Sequence, residues 1–166
     1  MCLGIKCVHN STRETSMSDV PQIQKILVAM DFSEPAERAL QYARSLVEKL
    51  DAELHLLHVI VPVAVPVLGA PTVGYIEDTA VVAQLDETAR KDMEAMFDAS
   101  WKSVHRLTIT VSVGTPVFEI LRYASEQSIN LIVLGTLGRT GLSHLILGSV
   151  AESIVRKAHC PVLSVH

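Results

Sequence analysis

A glycine-rich segment from position 135 to position 149 contains the residue types best suited to holding a phosphorylated ligand. Its glycines and final serine follow the spacing Gly-x2-Gly-x9-Gly-Ser, beginning at Gly135 and ending at Gly148 and Ser149. Glycine allows the backbone to approach a ligand closely, and free amides at a helix N-terminus attract phosphate groups. The apolar run 131–134 directly precedes the segment and is typical of a buried strand. This order of strand, glycine loop and helix start predicts a site for nucleotide phosphates.

Strand patterns and helix patterns alternate along the chain. The predicted strands are 25–30, 53–60, 107–113, 131–134 and 162–165. The run 131–134 is apolar throughout, as in the middle of a sheet, whereas 107–113 alternates apolar and polar residues, as an edge strand does. The alternation of strands with helices predicts the α/β class, with a doubly wound parallel sheet and helices on both faces.

Residues that favour helix starts precede three of the helix patterns: Ser33, Thr115 and Ser149. Ser33 is followed by Pro35, which the first turn of a helix tolerates. The four residues 149–152 have the Ser-x-x-Glu form of a capping box. Apolar residues at helical spacing across 82–101 predict one further helix with a continuous buried stripe.

The glycine segment resembles the ATP-binding signature of the universal stress protein family. Segments 26–34, 54–59 and 160–165 resemble the first, second and last strands of that family, so the resemblance covers about residues 22 to 166. It implies five parallel strands in the order 3-2-1-4-5. In this order the fourth strand lies beside the first, and ligands bind in the crevice at such a topological switch point.

Asp31 follows the first predicted strand and Gly135 follows the fourth, so both would border that crevice. Gly135 and Gly138 would let the loop pass close to the ribose and the α-phosphate. Gly148 and Ser149 would present backbone amides and one hydroxyl to the β- and γ-phosphates. Asp31 would accept hydrogen bonds from ribose hydroxyls. Two other interpretations stay open, in which Asp31 caps the first helix and Ser149 is a helix cap alone.

The resemblance implies the remaining contacts of a bound ATP. Ala29, Val59 and Leu134 would line the adenine pocket, and Arg139 could add charge at the phosphates. Many members of the family have a polar residue, often histidine, where this chain has Leu137, so one polar contact is lost here. The complete set of predicted binding residues is Ala29, Met30, Asp31, Val59, Leu134, Gly135, Gly138, Arg139, Gly148, Ser149 and Val150.

Binding is favoured over catalysis at this site. The sequence has no Gly-x4-Gly-Lys-Ser/Thr loop to supply a phosphate-binding lysine. No second acid beside Asp31 makes an obvious pair for a divalent metal. We therefore expect ATP, with Mg²⁺ or Mn²⁺ held by its phosphates, to stay bound or to turn over slowly, and slow hydrolysis or autophosphorylation stays open. The alternative function is a dimeric scaffold or signalling protein that binds no nucleotide.

Composition and charge argue against several classes of protein. The 166-residue chain has a net charge of −4 and no cluster of lysine or arginine, which argues against a nucleic-acid surface. The apolar stretch 54–73 is interrupted by prolines and a glycine, so we expect no membrane span. Cys2, Cys7 and Cys160 show no spacing for metal binding or for disulfides. Reduced thiols in the cytoplasm fit this pattern best.

The two ends of the chain have different predicted roles. Residues 1–21 are expected to form a disordered leader, followed by a single nucleotide-binding domain over 22–166. The last strand, Val162 to Val165, is short, apolar and terminal, and open edges of sheets tend to pair. By the resemblance, a homodimer would form through this strand. The apolar, proline-rich loop 62–74 is a candidate for contact with a protein partner.

Overall fold

The computed structural model describes residues 22–62, 64–66, 73–75, 79–136 and 148–166 of the chain. In chain order the elements are β1 (Lys25–Met30), α1 (Glu34–Leu50), β2 (Glu53–Ile60), β3 (Ala64–Pro66), β4 (Val73–Tyr75), α2 (Thr79–Ala95), α3 (Ala99–Val104), β5 (Leu107–Val113), α4 (Pro116–Glu126), β6 (Leu131–Gly135), α5 (Ser149–Lys157) and β7 (Val162–Val165). The five strands of the main sheet lie where the sequence predicted them.

Five strands form one parallel sheet in the order β5-β2-β1-β6-β7. This is the predicted order 3-2-1-4-5 once the short strands β3 and β4 are set aside. The apolar strand β6 lies inside the sheet and β5 forms one edge, both as predicted. β2, the next main-sheet strand after β1 in the chain, lies on one side of β1, and β6 lies on the other side. The direction of the strand order reverses here, so the topological switch point lies between β1 and β6.

Alternate residues of the central strands face two hydrophobic cores, one on each side of the sheet. Along β1, Ile26 and Val28 belong to the first core and Leu27 belongs to the second. The first core is covered by α1, α2 and α3, and the second by α4 and α5. Full burial stabilises each such side chain by about 1.5–3 kcal/mol relative to exposure. Helices on both faces confirm the doubly wound architecture.

Ser33 sets the start of α1. Its side-chain oxygen accepts a hydrogen bond from the Ala36 amide at 3.4 Å, which confirms the predicted N-cap. Pro35 lies in the first turn, where backbone amides have no hydrogen-bond acceptor within the helix, so the missing N–H of proline breaks no helix hydrogen bond. Phe32, directly before the cap, has a φ of 61°, in the left-handed region that residues other than glycine seldom adopt. The chain therefore turns sharply as it leaves β1.

The single helix predicted across 82–101 is wrong, because the structure divides this stretch into α2 and α3. Oδ1 of Asp98 accepts a hydrogen bond from the Trp101 amide at 2.8 Å and so starts α3. A side chain that satisfies the backbone in this way competes with continuation of the preceding helix. The predicted stripe is also not buried along its whole length, since Leu85 is 48% exposed.

The Trp101 side chain connects α3 to α1 by contacts with two residues of α1. Its indole Nε1 donates a hydrogen bond to the Glu48 carboxylate at 3.0 Å. The guanidinium of Arg44 lies over the indole, 5.2 Å from the ring centroid, in a cation–π arrangement. The ring of Phe97 packs beside it at a centroid distance of 4.9 Å. Trp101 is buried in the first core, so these contacts combine with a large buried apolar area.

The start predicted for the last helix, near Gly148, is confirmed, but the capping box predicted over 149–152 is wrong. Gly148 is the N-cap of α5 and Ser149 is its first helical residue, so Ser149 is not a helix cap. The Gly148 carbonyl accepts a hydrogen bond from the Glu152 amide at 2.9 Å, and its amide donates to the Thr136 carbonyl at 2.6 Å. These two bonds fix where α5 begins. Thr115 does occupy the predicted N-cap of α4, without a side-chain cap hydrogen bond.

A short antiparallel strand pair occupies part of the predicted loop 62–74 and ends at Tyr75. β3 pairs with β4, and Val65 lies opposite Gly74. Residues 63 and 67–72 of this loop, and the leader predicted over 1–21, lie outside the described residues. In the part of the chain that the structure describes, no helix is both long enough and apolar enough to cross a membrane.

A buried polar cluster joins the sheet to α4. Nδ1 of His55, which is 2% exposed, lies 2.8 Å from the Tyr123 hydroxyl, and that hydroxyl lies 3.2 Å from Oγ1 of Thr110. Burial lowers the pKa of the His55 imidazole and raises the pKa of the Tyr123 phenol, so both groups are neutral near pH 7. Nε2 of His55 lies 3.3 Å from the Glu53 carboxylate without the alignment of a hydrogen bond. The cluster connects α4 to β2 and β5.

Candidate functional site

A cavity of about 370 Å³ opens at the carboxyl ends of β1 and β6, at the switch point of the sheet. This volume lies in the usual range for sites that bind small molecules and cofactors. Among the described residues, it is lined by Ala29, Met30, Asp31, Ser33, Ala36, Leu57, His58, Val59, Val61, Pro116, Ile120, Leu134, Gly135, Thr136, Gly148, Ser149, Val150 and Ala151. Every predicted binding residue that the structure describes is in this wall. Gly138 and Arg139 lie outside the described residues.

One wall of the cavity is apolar. Ala29, Val59 and Leu134 come from three neighbouring strands and all belong to the second core, beneath α4 and α5. Ile120 from α4 and Ala151 from α5 complete this wall from the opposite side. The slot between the sheet and these two helices therefore has no charged side chain at these five positions. Such a slot suits a planar, largely apolar group such as a nucleobase.

Asp31 supplies the carboxylate at the mouth of the cavity. Its Oδ1 accepts hydrogen bonds from the Ser33 amide at 3.0 Å and from the Ser33 hydroxyl at 2.5 Å. The alternative in which Asp31 itself caps α1 is wrong, because Ser33 is the N-cap. Asp31 and Gly135 line the same cavity, as the switch-point argument predicted.

The first residues of α5 close the cavity on another side. Gly148, Ser149 and Val150 line it. The amides of Ser149 and Val150 have no partner within the helix. The prediction that Gly148 presents its amide to a phosphate is wrong, because that amide donates to the Thr136 carbonyl. The aligned peptide dipoles of the nine-residue helix α5 place partial positive charge at its N-terminus, and Arg156 and Lys157 lie in its last turn, at the negative end. This arrangement favours an anionic group such as phosphate at the start of the helix.

Gly135 is required for packing as well as for any contact with a ligand. A Cβ atom at this position would lie 2.8 Å from the Pro35 carbonyl carbon and 2.9 Å from the Ala36 amide nitrogen. Both are backbone atoms of α1, so a side chain at position 135 would push the helix away from β6. Gly135 was predicted only to lie near the ribose and the α-phosphate, so this packing role was not predicted.

Thr136 is a residue of the site that the sequence analysis missed. Its amide donates to the Val165 carbonyl at 2.8 Å, and its carbonyl accepts from the Gly148 amide at 2.6 Å. Its Oγ1 lies 3.1 Å from Nδ1 of His166. Thr136 therefore joins the two ends of the glycine segment to each other and to the end of β7. The sequence feature that could have indicated this role is a threonine inside the glycine motif, directly after the strand.

His58 and Pro116 were also missed. His58 lies next to the predicted Val59, and its Nδ1 donates to the Met30 carbonyl at 2.8 Å while its ring packs 4.9 Å from the Phe32 ring. Pro116 directly follows Thr115, the predicted start of its helix, and was not predicted to reach the site. Both reach the cavity because β2 and α4 converge with β1 at this end of the sheet, which depends on strand register.

The described wall offers three kinds of polar group to a ligand. These are the Asp31 carboxylate, the hydroxyls of Ser33, Thr136 and Ser149, and the amides at the start of α5. Together with the apolar slot, they can hold a molecule that has a flat apolar part, hydroxyl groups and an anionic part. A doubly wound α/β domain with a ligand crevice at its switch point is the class of protein that this fold and cavity define.

The comparison with protein families gives the particular family. The family described as the universal stress protein family matches residues 22–166. This match includes all the strands and helices of the described structure and continues through the glycine segment. The chain therefore belongs to the universal stress protein family.

Individual relatives agree in sequence and in structure. Universal stress protein MJ0531 from Methanocaldococcus jannaschii is 34% identical over 143 residues, which cover 86% of this chain and 81% of that protein. Universal stress protein YxiE from Bacillus subtilis is 31% identical over 144 residues, which cover 85% of this chain and 97% of that protein. The solved structure of universal stress protein UspA from Lactobacillus plantarum has a TM-score of 0.73 at 25% identity and covers 89% of this chain and 100% of that one.

Proposed function

We propose that this universal stress protein binds ATP in the switch-point cavity and acts as a homodimeric switch or regulator. The observation that carries the proposal is the shared wall: Asp31, the end of β6 and the first residues of α5 all line one cavity. Two proteins with this fold are described in complex with nucleotides, one with cAMP and one with dAMP. Their ligands support the nucleotide class, and the ATP-type glycine spacing of this chain favours the triphosphate.

Each part of the cavity fits one part of ATP. Ala29, Val59 and Leu134 would hold adenine, because a flat apolar slot excludes water from both faces of the base. The Asp31 carboxylate would accept hydrogen bonds from the ribose. The amides of Ser149 and Val150 would bind the phosphates, with help from the positive end of the α5 dipole. Gly138 and Arg139 would add contacts from the glycine segment.

Bound ATP would carry its own Mg²⁺ or Mn²⁺ on the phosphates. We propose that the nucleotide regulates the protein by staying bound and is turned over slowly at most. The cytoplasm is the compartment that we propose, because the cysteine that the structure describes, Cys160, is a free thiol, and thiols stay reduced in that compartment. A nucleotide-free dimeric scaffold is the alternative function.

Equilibrium titration with ATP tests the proposed function. The wild-type chain should bind about one ATP per subunit. Asp31→Ala should bind it about 10- to 100-fold more weakly, because hydrogen bonds to a charged group contribute about 1.5–3 kcal/mol. Asp92→Ala is the matched control, since it removes the same charge from an exposed position on α2 and should bind as the wild type does. Absence of ATP binding by the wild type would favour the scaffold.

We also propose that the homodimer forms through Val162 to Val165. β7 is an edge strand of the described sheet, and its Leu163 is 37% exposed. Open edges of this kind tend to pair. Leu163→Glu would bring two like charges together across a two-fold axis, so the light-scattering mass should fall from two chains to one. Val104→Glu is the control, because Val104 is 74% exposed on α3, away from β7. A wild-type mass of one chain at micromolar concentration would contradict the dimer.

A further inference from the structure

The Ser33 hydroxyl has two partners at the rim of the cavity. Its Oγ donates a hydrogen bond to Oδ1 of Asp31 at 2.5 Å and accepts one from the Ala36 amide at 3.4 Å. The Ser33 amide donates to the same Oδ1 at 3.0 Å. Ser33 therefore joins the first turn of α1 to the carboxylate of Asp31, and both residues line the cavity.

These contacts make the two oxygens of the Asp31 carboxylate unequal. Oδ1 accepts both hydrogen bonds from Ser33, and no described residue donates to Oδ2. A carboxylate has about four lone-pair positions, so Oδ2 keeps its full capacity to accept from a ligand. Rotation of the carboxylate would break the bonds to Ser33. The side chain is thus held in one orientation, with one oxygen committed to the turn.

The turn itself keeps the carboxylate in place. Phe32 lies between Asp31 and Ser33 and has a φ of 61°, in the left-handed region. An aspartate that accepts from the amide two residues further on closes a tight turn of this kind. The Glu37 amide donates to the Ser33 carbonyl at 3.0 Å, so the far side of the turn is part of α1. A group that is ordered in advance loses less entropy when a ligand binds.

We propose that Ser33 is a positioning residue that directs Oδ2 of Asp31 to a ribose hydroxyl of the bound nucleotide. The inference rests on the proposed function and adds a determinant of selectivity to it. Through Asp31, Ser33 governs the discrimination between a nucleotide that has this ribose hydroxyl and an analogue that lacks it. A serine that merely started α1 would affect the binding of both kinds of nucleotide equally.

Two substitutions of Ser33 separate these roles. Ser33→Gly removes the hydroxyl and keeps the backbone amide, and glycine is an accepted N-cap, so α1 should still form. Ser33→Thr restores a hydroxyl at the same atom. Dissociation constants are measured for ATP, 2′-deoxy-ATP and 3′-deoxy-ATP. The wild type should bind at least one deoxy analogue about tenfold more weakly than ATP, as expected for one lost hydrogen bond to a charged group. Ser33→Gly should lose this ratio, and Ser33→Thr should retain it.

The outcomes distinguish this inference from the proposed function. A wild type that binds none of the three nucleotides would overturn both. A wild type that binds ATP and both deoxy analogues equally would leave ATP binding in place and overturn the role of Asp31 and Ser33. An unchanged ratio in Ser33→Gly would also overturn the inference, because the carboxylate would then be oriented without the hydroxyl. Thermal unfolding of each variant shows that it is folded at the temperature of the titration.

Discussion

Replacing Gly148 by aspartate is expected to weaken ATP binding by at least about 100-fold, which corresponds to about 2.7 kcal/mol. Gly148 is the N-cap of α5 and lines the cavity, so a carboxylate there would lie beside the amides that we expect to hold the phosphates. Juxtaposed like charges cost several kcal/mol in a binding site. Aspartate is also one of the preferred N-cap residues, so α5 itself should be retained. Titration calorimetry with ATP measures the effect.

Gly148→Asn is the matched control for this substitution. Asparagine has nearly the shape of aspartate and is an equally good N-cap, but it brings no charge. The backbone of Gly148, with φ −66° and ψ 155°, is one that both residues adopt readily. Gly148→Asn should therefore bind ATP much more tightly than Gly148→Asp. Equal affinities in the two variants would contradict the placement of phosphate at the start of α5.

Trp101→Ala is expected to lower the free energy of unfolding by about 3–5 kcal/mol, as removal of a large buried aromatic side chain does. Trp101 is 7% exposed and contacts the Phe97 ring in the first core. The variant also loses the hydrogen bond to Glu48 and the cation–π contact with Arg44. Because these contacts join α3 to α1, the loss should fall on the global stability of the domain.

Chemical denaturation followed by circular dichroism measures this loss, since Trp101 is the single tryptophan of the chain and its fluorescence disappears in the variant. Trp101→Phe is the control. It keeps an aromatic ring in the core and loses the indole N–H, so it should be clearly more stable than Trp101→Ala. A loss below about 1 kcal/mol in Trp101→Ala would be typical of a surface substitution and would contradict the role assigned to the residue.

The sequence predicted the main sheet well because long-range and local signals agree there. Alternation of strand and helix patterns limited the fold to a doubly wound sheet, and the family resemblance supplied the strand order. Ser33 followed by Pro35 is a strong local signal for a helix start, and the structure confirms it. In each case the local pattern and the tertiary packing favour the same structure.

The errors arose where a local sequence pattern favours one residue and the structure uses another. Helical spacing of apolar residues extends across Asp98, but its side chain satisfies the Trp101 amide and starts a new helix. At α5, the Ser-x-x-Glu pattern favours Ser149 as the cap, whereas the hydrogen bond from Gly148 to Thr136 starts the helix one residue earlier. That bond joins segments on either side of the glycine loop, so no local pattern contains it.

The parts of the site that were missed depend on register and on close packing. Pro116 lines the cavity because α4 is held on the sheet by the buried cluster of His55 and Tyr123. Gly135 is needed because the backbone of α1 approaches β6 within the space of one methyl group. Both features depend on the packing of elements that are far apart in the chain. The sequence can predict which strands end at the site, but not which side chains of their neighbours reach it.

The nucleotide content of the purified protein tests the central claim most directly. The wild-type chain and Gly148→Asp are denatured, and the released small molecules are separated by chromatography. We predict close to one ATP or ADP per subunit in the wild type and none in the variant. A wild-type protein that releases no nucleotide, and that also fails to take up added ATP, would contradict nucleotide binding and leave the dimeric scaffold as the function of this chain.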